Sequence, residues 1–299
     1  MNMKKILALL LVLVMAFSLA ACTSTPPAPT APDAPVTEST LAPTPKAPTD
    51  EAKEPVELII FAAASMTETL TAIGAAYMDA NPHVTLTFNF DSSGTLKTQI
   101  AEGADCDIFI SAAQRQMNEL DISANPEVNV DGLDIVMQGT RIDLLENKVA
   151  LAVPFGNPAG VESYNQLMEL ILAGEIFIAV GNSDVPVGQY TEKIFEYYEI
   201  DMTSAEVGKQ LTYGSNVKEV TTQVAEETVS AGIIYATDAV SAGLEIVDTA
   251  TAEMCGQVIY PAAVLNTTAN ADEAAAFLAY LLSAEAAEIF SAVGFSIVK

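Results

Sequence analysis

Phe61-Ala-Ala-Ala-Ser65 is the stretch that decides how this chain folds. It follows the apolar run Leu58-Ile-Ile60, and it precedes residues 66–77, in which apolar side chains recur at the spacing of one helix face. This pattern predicts a short buried strand followed by a helix. Ser65 then lies at the turn between them, where the first helical amides have no backbone partner and the helix dipole is positive.

The turn at Ser65 has two interpretations. Helix N-termini bind anions readily, so Ser65 could face a ligand. Ser65-Met-Thr-Glu68 also has the sequence of a capping box, in which the serine and the glutamate satisfy the first amides of the helix itself. The turn alone does not decide between a ligand site and a helix cap.

The composition limits the classes of partner. The chain has 299 residues, a hydrophobic fraction of 51% and a net charge of −27, with one His and no Trp. This length is enough for two domains. The negative charge argues against nucleic acid, which needs clustered Lys and Arg. A small anion remains possible, because salt screens the overall field within about 8 Å and local N–H dipoles can outweigh it.

The first 55 residues predict export and a membrane anchor. Lys4-Lys5 and the apolar run 6–17 form a signal sequence, and Leu19-Ala-Ala-Cys22 resembles the lipobox of bacterial lipoproteins. That resemblance implies a signal peptide at 1–21 and a lipid on Cys22; a plain signal peptide is the alternative. Residues 22–55, rich in Pro, Thr and Ala, predict a disordered tether. We expect a protein anchored on the extracytoplasmic face of the cell membrane.

Two further cysteines, Cys106 and Cys255, lie far apart in the sequence. An extracytoplasmic location permits a disulfide between them, but the spacing does not establish one. Buried free thiols are the alternative.

Strands and helices alternate from residue 56 onward, which predicts an α/β fold with mostly parallel sheets. The predicted strands are 58–62, 84–90, 107–111, 149–153, 176–180, 232–235 and 258–265. The predicted helices are 66–80, 95–102, 186–198, 217–229 and, as one or two helices, 271–293.

Four predicted turns expose helical amides beside small or neutral side chains, and a phenol follows at a strand end. Ser65, Ser93, Val187 and Val217 stand at the turns, and Tyr235 ends a strand. In open α/β sheets, ligands bind beyond the carboxyl ends of the strands, so these groups can converge. Neutral donors of this kind are able to hold a charged oxyanion.

Short motifs in a fixed order resemble the molybdate-binding proteins of bacterial ABC importers. They are Phe-Ala-Ala-Ala-Ser at 61–65, Ser-Ser-Gly-Thr-Leu at 92–96, Asp-Ile-Phe-Ile-Ser at 107–111, Val-Pro-Val-Gly at 185–188, Gly-Ile-Ile-Tyr-Ala-Thr-Asp at 232–238 and Tyr-Pro-Ala-Ala-Val at 260–264. The resemblance covers about residues 56–299. It implies a class II periplasmic-binding-protein fold with two α/β lobes, 56–150 plus 260–299 and 151–259. Strands 149–153 and 258–265 are the expected hinge.

The resemblance also implies the ligand and its contacts. Molybdate, and with it tungstate, would be held by Ser65 and Ser93 of the first lobe and by Val187, Val217 and Tyr235 of the second. The protein would act as a monomer, need no cofactor and deliver the anion to an ABC permease. Two features depart from the family pattern, namely Val187 in place of a common alanine and the carboxylate of Asp91 near the site.

Other functions are less consistent with the residues. Sulfate or another tetrahedral oxyanion remains the main alternative, because anion size is not encoded in these motifs. Phosphate carries a proton that would need an acceptor such as Asp91 or Asp184. A serine hydrolase needs a base, and His83 is the single histidine, while Gly-x-Ser-x-Gly is absent around Ser65. We therefore expect no enzymatic activity. Binding of sugars or amino acids is disfavoured by the lack of Trp and of Arg in the turns.

Overall fold

The computed structural model describes residues 53–298, which form two mixed β-sheets with helices packed against them. The prediction of a two-lobed α/β fold is confirmed. The predicted signal peptide, Cys22 and all but the last three residues of the predicted tether lie outside the described residues.

Eleven strands and ten α-helices alternate within residues 53–298. The strands are β1 Val56–Ala63, β2 Val84–Asp91, β3 Ile108–Ile110, β4 Ile142–Asn147, β5 Val149–Val153, β6 Ile178–Gly181, β7 Leu211–Gly214, β8 Ala231–Tyr235, β9 Glu245–Thr249, β10 Val258–Val264 and β11 Ser296–Ile297. The helices are α1 Thr67–Ala80, α2 Ser93–Ala101, α3 Gln114–Asn118, α4 Tyr164–Ala173, α5 Pro186–Tyr197, α6 Val217–Ala225, α7 Ala236–Ala242, α8 Ala252–Cys255, α9 Ala271–Tyr280 and α10 Ala284–Ala292.

Each lobe is built on one sheet. The first sheet has the strand order β11-β4-β10-β3-β1-β2, and the second has the order β7-β6-β8-β5-β9. Strands β1, β2 and β3 run parallel to one another, as do β6, β7 and β8, whereas β10 and β5 are antiparallel to their neighbours. The carboxyl ends of the parallel strands therefore lie at one edge of each sheet, where ligands bind in such folds.

The chain changes lobe at places slightly different from those predicted. It leaves the first sheet after β4 and enters the second with β5, so the crossing falls at Lys148 and not at residue 150. It returns between β9 and β10 through α8. The two expected hinge strands each pair within a single sheet, because β5 joins β8 and β9 while β10 joins β3 and β4. The chain therefore crosses between the two sheets in the connections beside these strands.

Apolar side chains fill both lobes. In the first lobe, Leu70, Ile73 and Tyr77 of α1 are buried, and the ring of Tyr77 lies edge-on to Phe277 at 5.0 Å between centroids.

Cys106 and Cys255 are both buried and free, so they do not form a disulfide. Within residues 53–298, no single helix is long and apolar enough to cross a membrane, although α9 and α10 pass that test together as a pair bent by 58°.

Candidate functional site

The two lobes meet around a small cavity at the ends of their parallel strands. Its lining residues are Ala63, Ala64, Ser65, Asp91, Ser92, Ser93, Ala112, Val185, Pro186, Val217 and Tyr235. Four of the five predicted site residues are among them, and the fifth, Val187, follows Pro186 and is buried. The cavity volume is about 10 Å³. In this arrangement the lobes thus leave room for about one water molecule.

A larger cleft of about 960 Å³ lies elsewhere, along α3, α5 and α8. Its walls carry charges of both signs, including Arg115, Glu119, Glu192 and Lys193, and it contains none of the predicted site residues. The small cavity is the better candidate, because helix N-termini and buried hydroxyls converge there.

Ser65 does not cap the helix that follows it. It lies in a short 3₁₀ turn, Ala64–Met66, and its Oγ is 3.0 Å from the hydroxyl of Tyr260 on β10. The N-terminus of α1 has no side-chain cap, and Glu68 binds Lys218 instead. The capping-box interpretation is therefore wrong, and the Ser65 hydroxyl is free to face the cavity as well as Tyr260.

The two serines before α2 have separate roles. Ser92 is the N-cap of α2, and its Oγ accepts a hydrogen bond from the Thr95 amide at 3.1 Å. Ser93 is fully buried, and its Oγ accepts from the Ala112 amide at 2.9 Å. Because a backbone N–H can only donate, the proton of the Ser93 hydroxyl remains available for another acceptor.

The second lobe contributes the beginnings of two helices. Val187 is the second residue of α5 and Val217 the first of α6, positions whose amides have no acceptor within their own helix. Asn216 caps α6, since its Oδ1 accepts from the Glu219 amide at 3.1 Å. Both helices direct the positive ends of their dipoles toward the cavity.

Tyr235 ends β8 and is almost completely buried. Its ring packs edge-on between Tyr190 and Tyr260, and within residues 53–298 its hydroxyl has no hydrogen-bond partner. Burial, with the nearby Tyr260, raises the pKa of Tyr235 well above the usual value, so the hydroxyl keeps its proton. An unsatisfied buried hydroxyl costs about 1–3 kcal/mol, and an acceptor in the cavity would recover it.

The carboxylate beside the cavity is already paired. Asp91 Oδ1 accepts from the Ser92 amide at 2.7 Å and from Asn216 Nδ2 of the other lobe at 3.4 Å. Among the described residues, no Lys or Arg side chain lines this cavity. Across the described part of the chain, His, Cys, Asp and Glu form no cluster that could hold a metal ion.

Lys218 joins the lobes beside the site. Its Nζ lies 2.8 Å from Glu68 Oε2 of the first lobe and 3.2 Å from Asp238 Oδ1 of the second. Burial raises the pKa of Asp238 to about 6, and Lys218 opposes that rise.

Sequence reasoning missed Asp238 and Tyr260, although both stand in motifs that it singled out. It also missed the role of Lys218, because these contacts join residues far apart in the chain.

Gly94, the second residue of α2, lets the lobes approach closely. A Cβ atom at this position would overlap the backbone carbonyl of Asp184, which belongs to the other lobe. The contact exists only between lobes, so the folding of either lobe does not depend on it.

We therefore expect Gly94→Ala to weaken molybdate binding at least about tenfold, because the added methyl group keeps the lobes apart. The unfolding free energy of the ligand-free protein should change by no more than about 0.5 kcal/mol. Calorimetric titration and urea unfolding measure the two quantities. Gly208→Ala, where a Cβ meets only an ordinary contact at 3.6 Å, is the control. Unchanged affinity in Gly94→Ala would show that the closed arrangement is not needed for binding.

Comparison with known proteins supports the architecture described above. Residues 58–296 match the family described as bacterial extracellular solute-binding protein. A Bacillus subtilis protein, described as a candidate ABC transporter substrate-binding lipoprotein, YvgL, is 34% identical over 83% of this chain and 89% of its own length. The molybdate-binding protein ModA of Haemophilus influenzae is 30% identical over 80% of this chain and 90% of its own.

Solved structures agree with the relatives found by sequence. The substrate-binding domain of a candidate molybdenum ABC transporter from Clostridium difficile has a TM-score of 0.59 and 30% identity, covering 82% of this chain and all of its own. The sulfate-binding protein SubI of Mycobacterium tuberculosis has a TM-score of 0.66 at 15% identity, covering 82% of this chain and 88% of its own, and shares the fold. The relatives are solute-binding proteins of transport systems, which fits the expectation of a non-enzyme. The chain belongs to the bacterial extracellular solute-binding protein family, among the substrate-binding proteins of ABC transporters related to molybdate-binding proteins.

Proposed function

We propose that this protein captures molybdate, and tungstate of the same charge and shape, between its lobes and delivers it to an ABC permease. The ligand contacts are the hydroxyls of Ser65, Ser93 and Tyr235 and the amides of Val187 and Val217. The observation that carries the proposal is the protonated hydroxyl of Tyr235, which is buried at the cavity and has no hydrogen-bond partner within residues 53–298.

The chemistry of the cavity favours an unprotonated tetrahedral anion. Two helix N-termini and three hydroxyls supply donors, and Asp91 Oδ1 already accepts two hydrogen bonds. Each hydrogen bond to a charged acceptor contributes about 1.5–3 kcal/mol, so five can hold a dianion without a basic side chain. A protonated oxyanion would place its own donor against other donors, which weakens its binding.

The relatives favour molybdate over sulfate. Proteins named for molybdate or molybdenum are about 30% identical over most of this chain. The sulfate-binding neighbour is only 15% identical, so it supports the fold and not the ligand. Sulfate is the second candidate, because it offers the same four acceptor oxygens in a smaller volume.

A thermal-shift panel tests the ligand. Molybdate, tungstate, sulfate and phosphate are compared at equal concentration with the purified protein. We expect the two large anions to raise Tm, since a ligand at about 100 times its Kd stabilises the folded state by about 2.7 kcal/mol. A shift with sulfate or phosphate alone would contradict the choice of ligand, and no shift with any anion would contradict oxyanion binding altogether.

Tyr235→Phe tests the contact that carries the proposal. We expect the affinity for molybdate to fall about tenfold or more, while the unfolding free energy of the ligand-free protein stays the same or rises, because the lost hydroxyl had no partner. Tyr164 is the matched control, since its buried hydroxyl also lacks a partner within residues 53–298 but lies outside the cavity. Tyr164→Phe should leave the affinity unchanged. Equal affinities for Tyr235→Phe and wild type would remove Tyr235 from the site.

We further propose that the mature protein begins at Cys22 and is held on the extracytoplasmic face of the cell membrane by a lipid on that thiol. We expect Cys22→Ala to move the protein from the membrane fraction to the soluble fraction of cells, because the globular body then carries no acyl chain. Fractionation with immunoblotting measures this, and Cys106→Ala is the control. Retention of Cys22→Ala in the membrane fraction would contradict the lipid anchor.

A further inference from the structure

A buried chain of hydrogen bonds leads from the hinge to Ser65, and its direction is fixed at one end. Asn147 is the last residue of β4, directly before the crossing between lobes, and its side chain is buried. Its Oδ1 accepts from the Lys148 amide at 2.8 Å. A backbone N–H can only donate, so this contact determines which end of the Asn147 amide group is the oxygen.

The amide nitrogen of Asn147 consequently faces two hydroxyls. Nδ2 lies 3.1 Å from the Tyr260 hydroxyl and 2.9 Å from Thr237 Oγ1, which belongs to the other lobe. An amide nitrogen carries two protons and accepts none, so both hydroxyl oxygens are acceptors in these contacts.

Tyr260 must then donate to Ser65. Tyr260 is fully buried, and its remaining hydrogen-bond partner within residues 53–298 is Ser65 Oγ at 3.0 Å. The nearby Tyr235 hydroxyl makes no hydrogen bond to any described residue. Burial raises the pKa of Tyr260 well above its usual value, so the proton is present to be donated. A Tyr260 that did not donate would leave a buried donor unsatisfied.

We propose that Asn147 and Tyr260 are positioning residues that turn the proton of Ser65 into the cavity. Asn147 donates to Tyr260, and Tyr260 in turn donates to one lone pair of Ser65 Oγ, so the serine is left to direct its proton toward the ligand. This inference rests on the proposed function and deepens it, because it names the groups that make the site select unprotonated oxyanions. Asn147 and Tyr260 together are called the relay below. Ser93 needs no such relay, because the Ala112 amide donates directly to its Oγ.

The consequence concerns ligand protonation. A serine hydroxyl with free lone pairs can rotate and accept a proton from a ligand such as hydrogen phosphate. With one lone pair of each serine already occupied, both hydroxyl protons are directed toward the ligand, and a protonated ligand finds fewer acceptors there than it would at free serines. The discrimination between protonated and unprotonated ligands therefore depends on Asn147 of β4 and Tyr260 of β10, which are not themselves proposed ligand contacts.

A double-mutant cycle between Asn147→Asp and Ser65→Ala tests the relay. The aspartate can still accept from the Lys148 amide, but its second oxygen now accepts from Tyr260. Tyr260 turns its proton away from Ser65, and Ser65 then donates to Tyr260 and presents lone pairs to the ligand. Molybdate affinity is measured by calorimetry in wild type, both single variants and the double variant.

We expect Asn147→Asp to weaken molybdate binding about 10- to 100-fold more when Ser65 is present than in the Ser65→Ala background. Repulsion between the new carboxylate and the anion acts equally in both backgrounds, so it cancels in the cycle. The same loss in both backgrounds would overturn the inference. Thr237→Ala is the matched control, because it removes the other partner of Asn147 Nδ2 without changing the relay, and its effect should not depend on Ser65.

Tyr260→Phe keeps the inference testable if Asn147→Asp fails to fold. It removes the donor to Ser65 without adding charge, so affinity should fall severalfold when Ser65 is present and hardly at all in the Ser65→Ala background. An equal effect in both backgrounds again contradicts the relay. The two proposals fail in distinguishable ways. If the wild type binds none of the four anions, both are wrong; if it binds one and the cycle is additive, only the relay is wrong.

Discussion

Buried hydrogen-bond donors without acceptors are the constraint on which the rest of this structure depends. The amides of Val187 and Val217, near the starts of α5 and α6, lie where the lobes meet, and so does the hydroxyl of Tyr235, which has no hydrogen-bond partner within residues 53–298. Each would be satisfied by water in an open cleft, and closing the lobes removes that water. Closure is therefore favourable only when an acceptor enters, and a compact oxyanion brings four acceptor oxygens at once.

The contacts between lobes suit a movement that reverses. Lys218 and Glu68 form an ion pair on partly exposed side chains, the class that contributes about 0.2–1 kcal/mol. Asn216 reaches Asp91 at the long distance of 3.4 Å. Gly94 permits close approach without adding apolar contact. Each of these three interactions is weak, so under the proposed function a bound anion would add to the free energy that holds the lobes together.

Similarity to known proteins and the chemistry of the site limit the possible ligands in different ways. Relatives at about 30% identity carry molybdate or molybdenum in their names, whereas the fold is shared with a sulfate-binding protein. Donor-only chemistry separates unprotonated from protonated oxyanions, and Asn147 with Tyr260 would enforce that separation. It does not by itself separate two dianions of different size. The close approach of Gly94 to Asp184 is one contact that limits how far the lobes can close.

Local sequence patterns determined the strand–turn–helix units and placed Ser65, Ser93, Val187, Val217 and Tyr235 at their ends. They also determined the Asn216 cap, because a cap and its helix are adjacent in the chain. The tertiary structure alone decided that Ser65 bonds to Tyr260, 195 residues away, instead of capping α1. It likewise placed the lobe crossing at Lys148, because strand pairing decides which sheet a strand joins. Periodicity reports which face of an element is buried, whereas hydrogen-bond partners depend on which elements are brought together.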